Sequence, residues 1–167
     1  MKCRFIKKVA IIAIAAVTMS VAVQAQQKGD MAVGGNLVIG VGDSYTNVGL
    51  GPKFLFNVTD PIRLEGSFTY FLKKDYLSMW DLSVNGHYLF PVADQITVYP
   101  LAGLGVFGSK WDLGIYGNYS NSDVCVNLGG GVDIKLTDQL FLNGELKYKI
   151  VNNWNRLLLS AGVAYKF

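Results

Sequence analysis

Two cysteines, one histidine and four prolines in 167 residues leave little for several kinds of chemistry. Cys3 lies in the first few residues and Cys125 far downstream. If the N-terminal stretch is removed, Cys125 stands alone and no intramolecular disulfide can form. The fold must then hold by hydrogen bonding and packing. With His87 the only histidine, a nucleophile such as Cys125 has a single candidate base, and no second imidazole completes a metal site. Neither a cofactor nor a metal is expected. Acidic residues are absent before Asp30, whereas Lys2, Arg4, Lys7 and Lys8 crowd the start. The formal charge of +3 therefore belongs to that start, because beyond residue 25 eleven basic groups face twelve acidic ones. A nucleic-acid partner has no electrostatic footprint here.

Long hydrophobic runs are missing as well. The longest, Val9 to about Val23, holds roughly fifteen apolar-leaning residues against the ~20 that a spanning helix needs. It follows the cationic MKCRFIKK and ends at the small-x-small site Val23-Gln24-Ala25. Those three parts read residues 1–25 as a cleaved secretory signal with Gln26 as the mature N-terminus. Cys3 is too far from that site to be a lipoprotein attachment point. Residues 26–167 show no composition break and form one expected domain.

What the mature chain has is period-two alternation. Leu140, Leu142, Leu146, Tyr148 and Ile150 fall on one face, with Asn143, Glu145, Lys147 and Lys149 on the other. Val124, Val126, Leu128, Val132 and Ile134 repeat this against Asn127, Asp133 and Lys135. A helix with this order would put charge on every side. The spacing predicts eight strands over 31–42, 46–58, 62–73, 77–90, 95–109, 122–136, 139–151 and 155–167. Most are longer than the usual strand of a soluble protein and long enough to cross a bilayer at a tilt. Thr59-Asp60-Pro61, Val92-Ala93-Asp94 and Thr137-Asp138 make tight turns at every second connection. The longest connection, 110–121, lies on the other side. Short turns on one side and longer loops on the other suit an outer-membrane barrel.

The aromatic positions suggest which solvent the apolar face meets. Phe56, Tyr88, Phe90, Tyr165 and Phe167 fall near the tight-turn end, and Tyr70, Trp80 and Tyr148 near the loop end. Two such girdles match two membrane interfaces. The expected fold is therefore an all-β, eight-stranded antiparallel up-and-down transmembrane barrel in outer-membrane lipid. Its polar face would line a lumen barely wide enough for side chains. That face carries Lys53, Arg63, Glu65, Asp81, Asp133, Lys135, Glu145, Lys147, Lys149 and Lys166. Lys53, Arg63, Glu65, Asp133, Lys135, Glu145 and Lys147 are the candidate charge network, expected to pair and plug the lumen. A water-filled lumen that screens each charge is the alternative.

The mature chain resembles the small outer-membrane β-barrel proteins that include the OmpA transmembrane domain and OmpX. The resemblance is carried most specifically by LLLSAGVAYKF, in which Val163, Tyr165 and Phe167 alternate to a final aromatic residue. In that family such a segment resembles the signal read by the barrel assembly machinery. The segment LTDQLFLNGELKY looks like the turn and strand before a closing hairpin. No catalytic residue comes with the resemblance, and the peptidoglycan-binding domain of longer relatives is expected to be absent.

Other motifs carry less. Gly103-Leu-Gly105-Val-Phe-Gly108 matches a dinucleotide fingerprint, but no helix follows to receive a pyrophosphate. His87 falls on the lumenal face, whereas a lipid A hydrolase would need it facing lipid. Asn57-Val-Thr59 and Asn118-Tyr-Ser120 match the glycosylation pattern and read better as turn and loop. Within 110–121, Trp111, Tyr116 and Tyr119 among Gly, Asn and Ser are candidates for recognising an extracellular partner, itself unidentified. Placement in the outer girdle explains them equally well. The expected role is structural or surface-interacting. A small solute channel is the alternative, with a lipid A-modifying enzyme and a soluble lipocalin-like carrier behind it.

Overall fold

The computed structural model describes residues 27–42, 46–74, 77–112, 118–152 and 155–167. The signal segment and Tyr116 lie outside them. Nine strand segments are present: β1 (Met31–Gly42), β2 (Thr46–Asn57), β3 (Ile62–Lys74), β4 (Leu77–Tyr88), β5 (Phe90–Ala93), β6 (Ile96–Asp112), β7 (Asn118–Lys135), β8 (Leu140–Val151) and β9 (Arg156–Lys166). Both β4 and β5 pair with β6, so together they make one barrel strand. The break has a local cause. Pro91 has no N–H to give the ladder, the β5 register slips between Pro91 and Ala93, and the Leu89 N–H donates instead to the Pro61 carbonyl at 2.7 Å.

Each strand pairs antiparallel with its sequence neighbour, and β1 pairs with β9 to close the sheet into an eight-stranded barrel. The closure is staggered. Partners followed from Asn127 through Gly103, Asn85, Glu65, Leu55 and Ala32 reach β9 at Lys166. Followed the other way, through Lys149, they reach β9 at Arg156, ten residues away. Such a stagger obliges the strands to tilt. Seven of the eight expected strands lie within about three residues of the observed ones, an ordinary boundary error.

Tight turns and both strand termini share one end. Thr59 and Thr137 shape two of these turns, each hydroxyl accepting a backbone N–H three residues on, at 3.2 and 3.0 Å. In the second turn Lys135 donates to Asp138 at 2.7 Å, which holds that exposed carboxyl below its usual range. The other end differs from the sequence expectation. Residues 110–112 and 118–121 are strand rather than loop, because β6 and β7 pair without a break from Ile96↔Ile134 to Asp112↔Asn118. Pairing of β7 with β8 starts only at Cys125. The outer part of β7 therefore stands above the neighbouring rim, bonded to β6 alone among the described residues.

Alternation along the strands sorts side chains by face. Leu37, Leu50, Leu82, Val84, Leu104, Leu128, Leu146 and Leu159 point outward and are about half exposed. Tyr70, Tyr88, Tyr148 and Tyr165 join them, and Tyr88 packs on Phe90 at 4.7 Å. A soluble carrier with an apolar lumen would show the reverse arrangement, and that reading is corrected. Inward side chains are mostly charged or polar at mid-height and mostly apolar at the ends. Val38, Phe71, Leu77, Met79, Phe107, Val151 and Leu158 cluster at the outer end, and Ala32, Leu55, Phe141 and Ala164 at the turn end.

Candidate functional site: the lumenal charge lattice

Alternation puts every second residue inside, and the stagger sets the height at which residues from distant strands meet. Lowest in the lattice is Arg63, near the start of β3 and 1% exposed. Its Nη1 donates to Asp133 Oδ2 at 2.6 Å. The Nε donates to His87 Nδ1 at 3.2 Å, and the guanidinium lies 4.8 Å from the Tyr99 ring. His87 stacks on Tyr99 with ring centroids 4.6 Å apart. The histidine thus points inward, and its Nδ1 is occupied as an acceptor.

One level higher, two carboxylates share two ammonium groups. Glu145 accepts from Lys147 at 2.9 Å and Lys53 at 3.1 Å, and Glu65 meets Lys53 at 3.4 Å and Lys147 at 3.6 Å. The remaining lone pairs are taken as well. Asn85 Nδ2 donates to Glu65 at 2.8 Å and the Tyr99 hydroxyl to Glu145 at 3.0 Å. Buried charge is tolerable only when it is both paired and hydrogen-bonded. Here both conditions are met.

Above these, Asn127 donates to Asn85 Oδ1 at 2.9 Å and to Ser83 Oγ at 3.1 Å. Lys149 pairs with Asp81 and reaches Cys125 Sγ at 3.4 Å, while Ser83 donates to Asp81 at 2.6 Å. Gly103 and Gly105 face inward at this height. A Cβ on Gly103 would collide with Asn85 and the Val84 carbonyl, and one on Gly105 would approach Ser83 Oγ at 2.5 Å. These two glycines of the dinucleotide-like motif therefore make room inside a strand, and no helix follows them.

The structure brings Lys53, Arg63, Glu65, Asp133, Glu145 and Lys147 into the interior together. Lys135 departs from the expected network. It ends β7 at the barrel mouth, where its long side chain reaches the Asp138 carboxylate in the turn. Lys166 is also at the mouth, 3.2 Å from Asp30. Trp111 is corrected too. It belongs to β6 and packs half-buried against the outer apolar cluster. Tyr119 faces outward on β7 and is 66% exposed. Asp81, Lys149, Tyr99 and Arg156 were outside the expected network. Asp81 and Lys149 sat on the polar face of the sequence pattern, so that signal was available. Nothing in the pattern gave their height.

Ligand atoms of Glu65, His87 and Glu145 lie within 4.8 Å of one another. A metal ion there would have to displace both lysines and the arginine, so the chemistry on offer is ion pairing. The mouth at the turn end is closed nearly as tightly. Cavities of about 30 and 10 Å³ remain there, bounded by Thr97, Asp133 and Phe141 in one case and Asn57, Arg63 and Phe141 in the other. Each holds at most a water or two.

An apolar, girdled exterior around an interior of paired charges defines a transmembrane β-barrel. The chain belongs to the outer membrane protein beta-barrel domain family, whose model matches residues 11–167. That family places the protein in the bacterial outer membrane. A search of curated proteins gives no match. Among solved structures, the N-terminal β-barrel domain of Pseudomonas aeruginosa OprF is similar at 17% identity and a TM-score of 0.69, with 85% of this chain and 100% of that one covered. Neisserial surface protein A is similar at 17% identity and TM-score 0.65, covering 83% and 96%. Ail, the attachment invasion locus protein of Yersinia pestis, is similar at 18% identity and TM-score 0.63, covering 84% and 100%. At these identities the likeness is one of fold.

Proposed function

We propose that this barrel is a non-enzymatic outer-membrane protein with a structural or surface-interaction role, exported by a signal peptide over residues 1–25 and closed to solutes by its charge lattice. The lattice around Glu65 and Glu145 carries this reading. Four side chains from β2, β3 and β8 neutralise one another across the lumen, with side-chain exposures between 0 and 8%. A channel needs a continuous wet path, and ammonium groups held at 2.9–3.6 Å from two carboxylates obstruct one. In planar bilayers the purified barrel should give no discrete conductance steps. Reproducible steps that change with Glu145→Gln would reject the closed lumen in favour of a small solute channel.

The surface-interaction part of the reading draws support from the outer β6–β7 hairpin. Residues 118–124 of β7 have β6 on one side and no strand on the other among the described residues. A free edge of this kind suits the addition of an extended peptide strand from a partner. Hydrogen exchange should show alternate amides of 118–124 exchanging fast, while those of 125–135, paired on both sides, stay protected. Uniform protection across the two stretches would mean that the edge is covered.

A further inference from the structure

The buried charges inside the barrel do not balance. Among the described residues the buried cations are Lys53, Arg63, Lys147, Lys149 and Arg156, and the buried carboxylates Glu65, Asp81, Asp133 and Glu145. Asp123, on the same face of β7 as Cys125, is only part-buried and accepts from Asn121 at 2.6 Å. Every buried carboxylate is engaged by one of the first four cations. Arg156 is left over, only 2% exposed and without an ion pair among the described residues. Among the described residues its Nε and Nη1 have no hydrogen-bond partner, and Nη2 meets only the Met79 thioether, at 3.8 Å.

The surroundings narrow what could satisfy it. The guanidinium carbon lies 4.9 Å from the Phe107 ring centroid and 5.5 Å from that of Phe71. Aromatic rings attract a cation through their π faces but offer no anion to neutralise it. Asp81, the carboxylate on the neighbouring level, is already held by Lys149 and Ser83. A buried cation without a counter-charge is strongly destabilising. Among the buried charges the imbalance is a single positive one, which a single negative charge beside Arg156 would offset. The apolar walls of Val38, Phe71, Met79 and Phe107 favour an ion that sheds water readily, and the close packing favours a small one.

We propose that Arg156 is the core of an anion site at the outer end of the lumen, and that its ligand is a small, readily dehydrated monoanion of the chloride or bromide kind. The rings occupy the flanks of the guanidinium, and the partnerless Nε and Nη1 donate to the anion. This goes beyond the closed-lumen reading, because the site sits above the lattice that closes the barrel.

The test uses the barrel in zwitterionic micelles. Thermal unfolding is followed while sodium bromide or sodium chloride replaces sodium sulfate at constant ionic strength. Binding to the folded state alone raises the midpoint in a saturable way. The wild type should gain a few degrees and then plateau, and Arg156→Met should lose the dependence. Equal midpoints in all salts, or a dependence that persists in Arg156→Met, would overturn the proposal. Should Arg156→Met fail to refold, bromide soaked into wild-type crystals decides. An anomalous peak within hydrogen-bond reach of Arg156 supports the site, and none at saturating bromide overturns it.

Discussion

Replacing Glu145 with alanine is expected to destabilise the barrel by about 3–5 kcal/mol, the loss typical when one partner of a buried ion pair is removed. The magnitude follows from what remains. Lys53 and Lys147 would be left sharing Glu65 alone, and the Tyr99 and Ser160 hydroxyls would lose the acceptor they reach at 3.0 and 3.4 Å. Urea unfolding in lipid vesicles, followed by tryptophan fluorescence, measures the change. The double variant Glu145→Leu with Lys147→Met removes one charge of each sign and leaves Lys53 with Glu65. It should recover much of the loss, because an apolar pair often replaces a buried ion pair at little cost. If the double variant falls as far as the sum of both singles, the lattice is not a mutually compensating unit.

The second large effect is expected one residue away, on the opposite face. Leu146 is 50% exposed near the middle of β8 and paired with Leu159, whereas Lys147 beside it is 7% exposed. On a water-facing surface, Leu146→Arg would shift stability by no more than about 0.5 kcal/mol. On a lipid face near the bilayer midplane it should cost about 2–4 kcal/mol. Vesicle unfolding of the variant therefore reports the solvent directly. A loss below about 1 kcal/mol would place Leu146 outside the hydrocarbon. The effect should shrink for arginine placed nearer the ends, at Tyr165 or Leu142.

Much of this architecture was legible from alternation. Residues 139–151 separate Leu142, Leu146 and Ile150 from Asn143, Glu145 and Lys147, and the structure separates them the same way. Period two identifies a face, however, and says nothing of height. Glu65 and Glu145 meet because the register climbs ten residues around the barrel, and no local pattern encodes that climb. Lys135 leaves the expected network for the same reason, since alternation gives its face and the turn-side half of its strand but not that it lies at the mouth, below the lattice. Residues 118–121 fall in the expected loop because Asn and Ser dominate them, yet continuous pairing with β6 keeps them extended. Arg156 was missed because it opens a strand directly after a polar stretch, where alternation has no run over which to show itself. The apolar ends of the lumen were hidden in β1, where Gly34, Gly35 and Gly40 blur the two faces.

The neighbourhood of β1 and β9 also governs how the chain must be delivered. The strand made first and the strand made last are partners, and the Phe167 N–H donates to the Met31 carbonyl at 3.0 Å. Until β9 exists, both β1 and β8 present rows of unpaired backbone groups. Lipid offers nothing to satisfy such groups. The sheet therefore cannot enter hydrocarbon strand by strand as it emerges. Only the closed ring, with β9 seated between β8 and β1, leaves no backbone edge for hydrocarbon to meet.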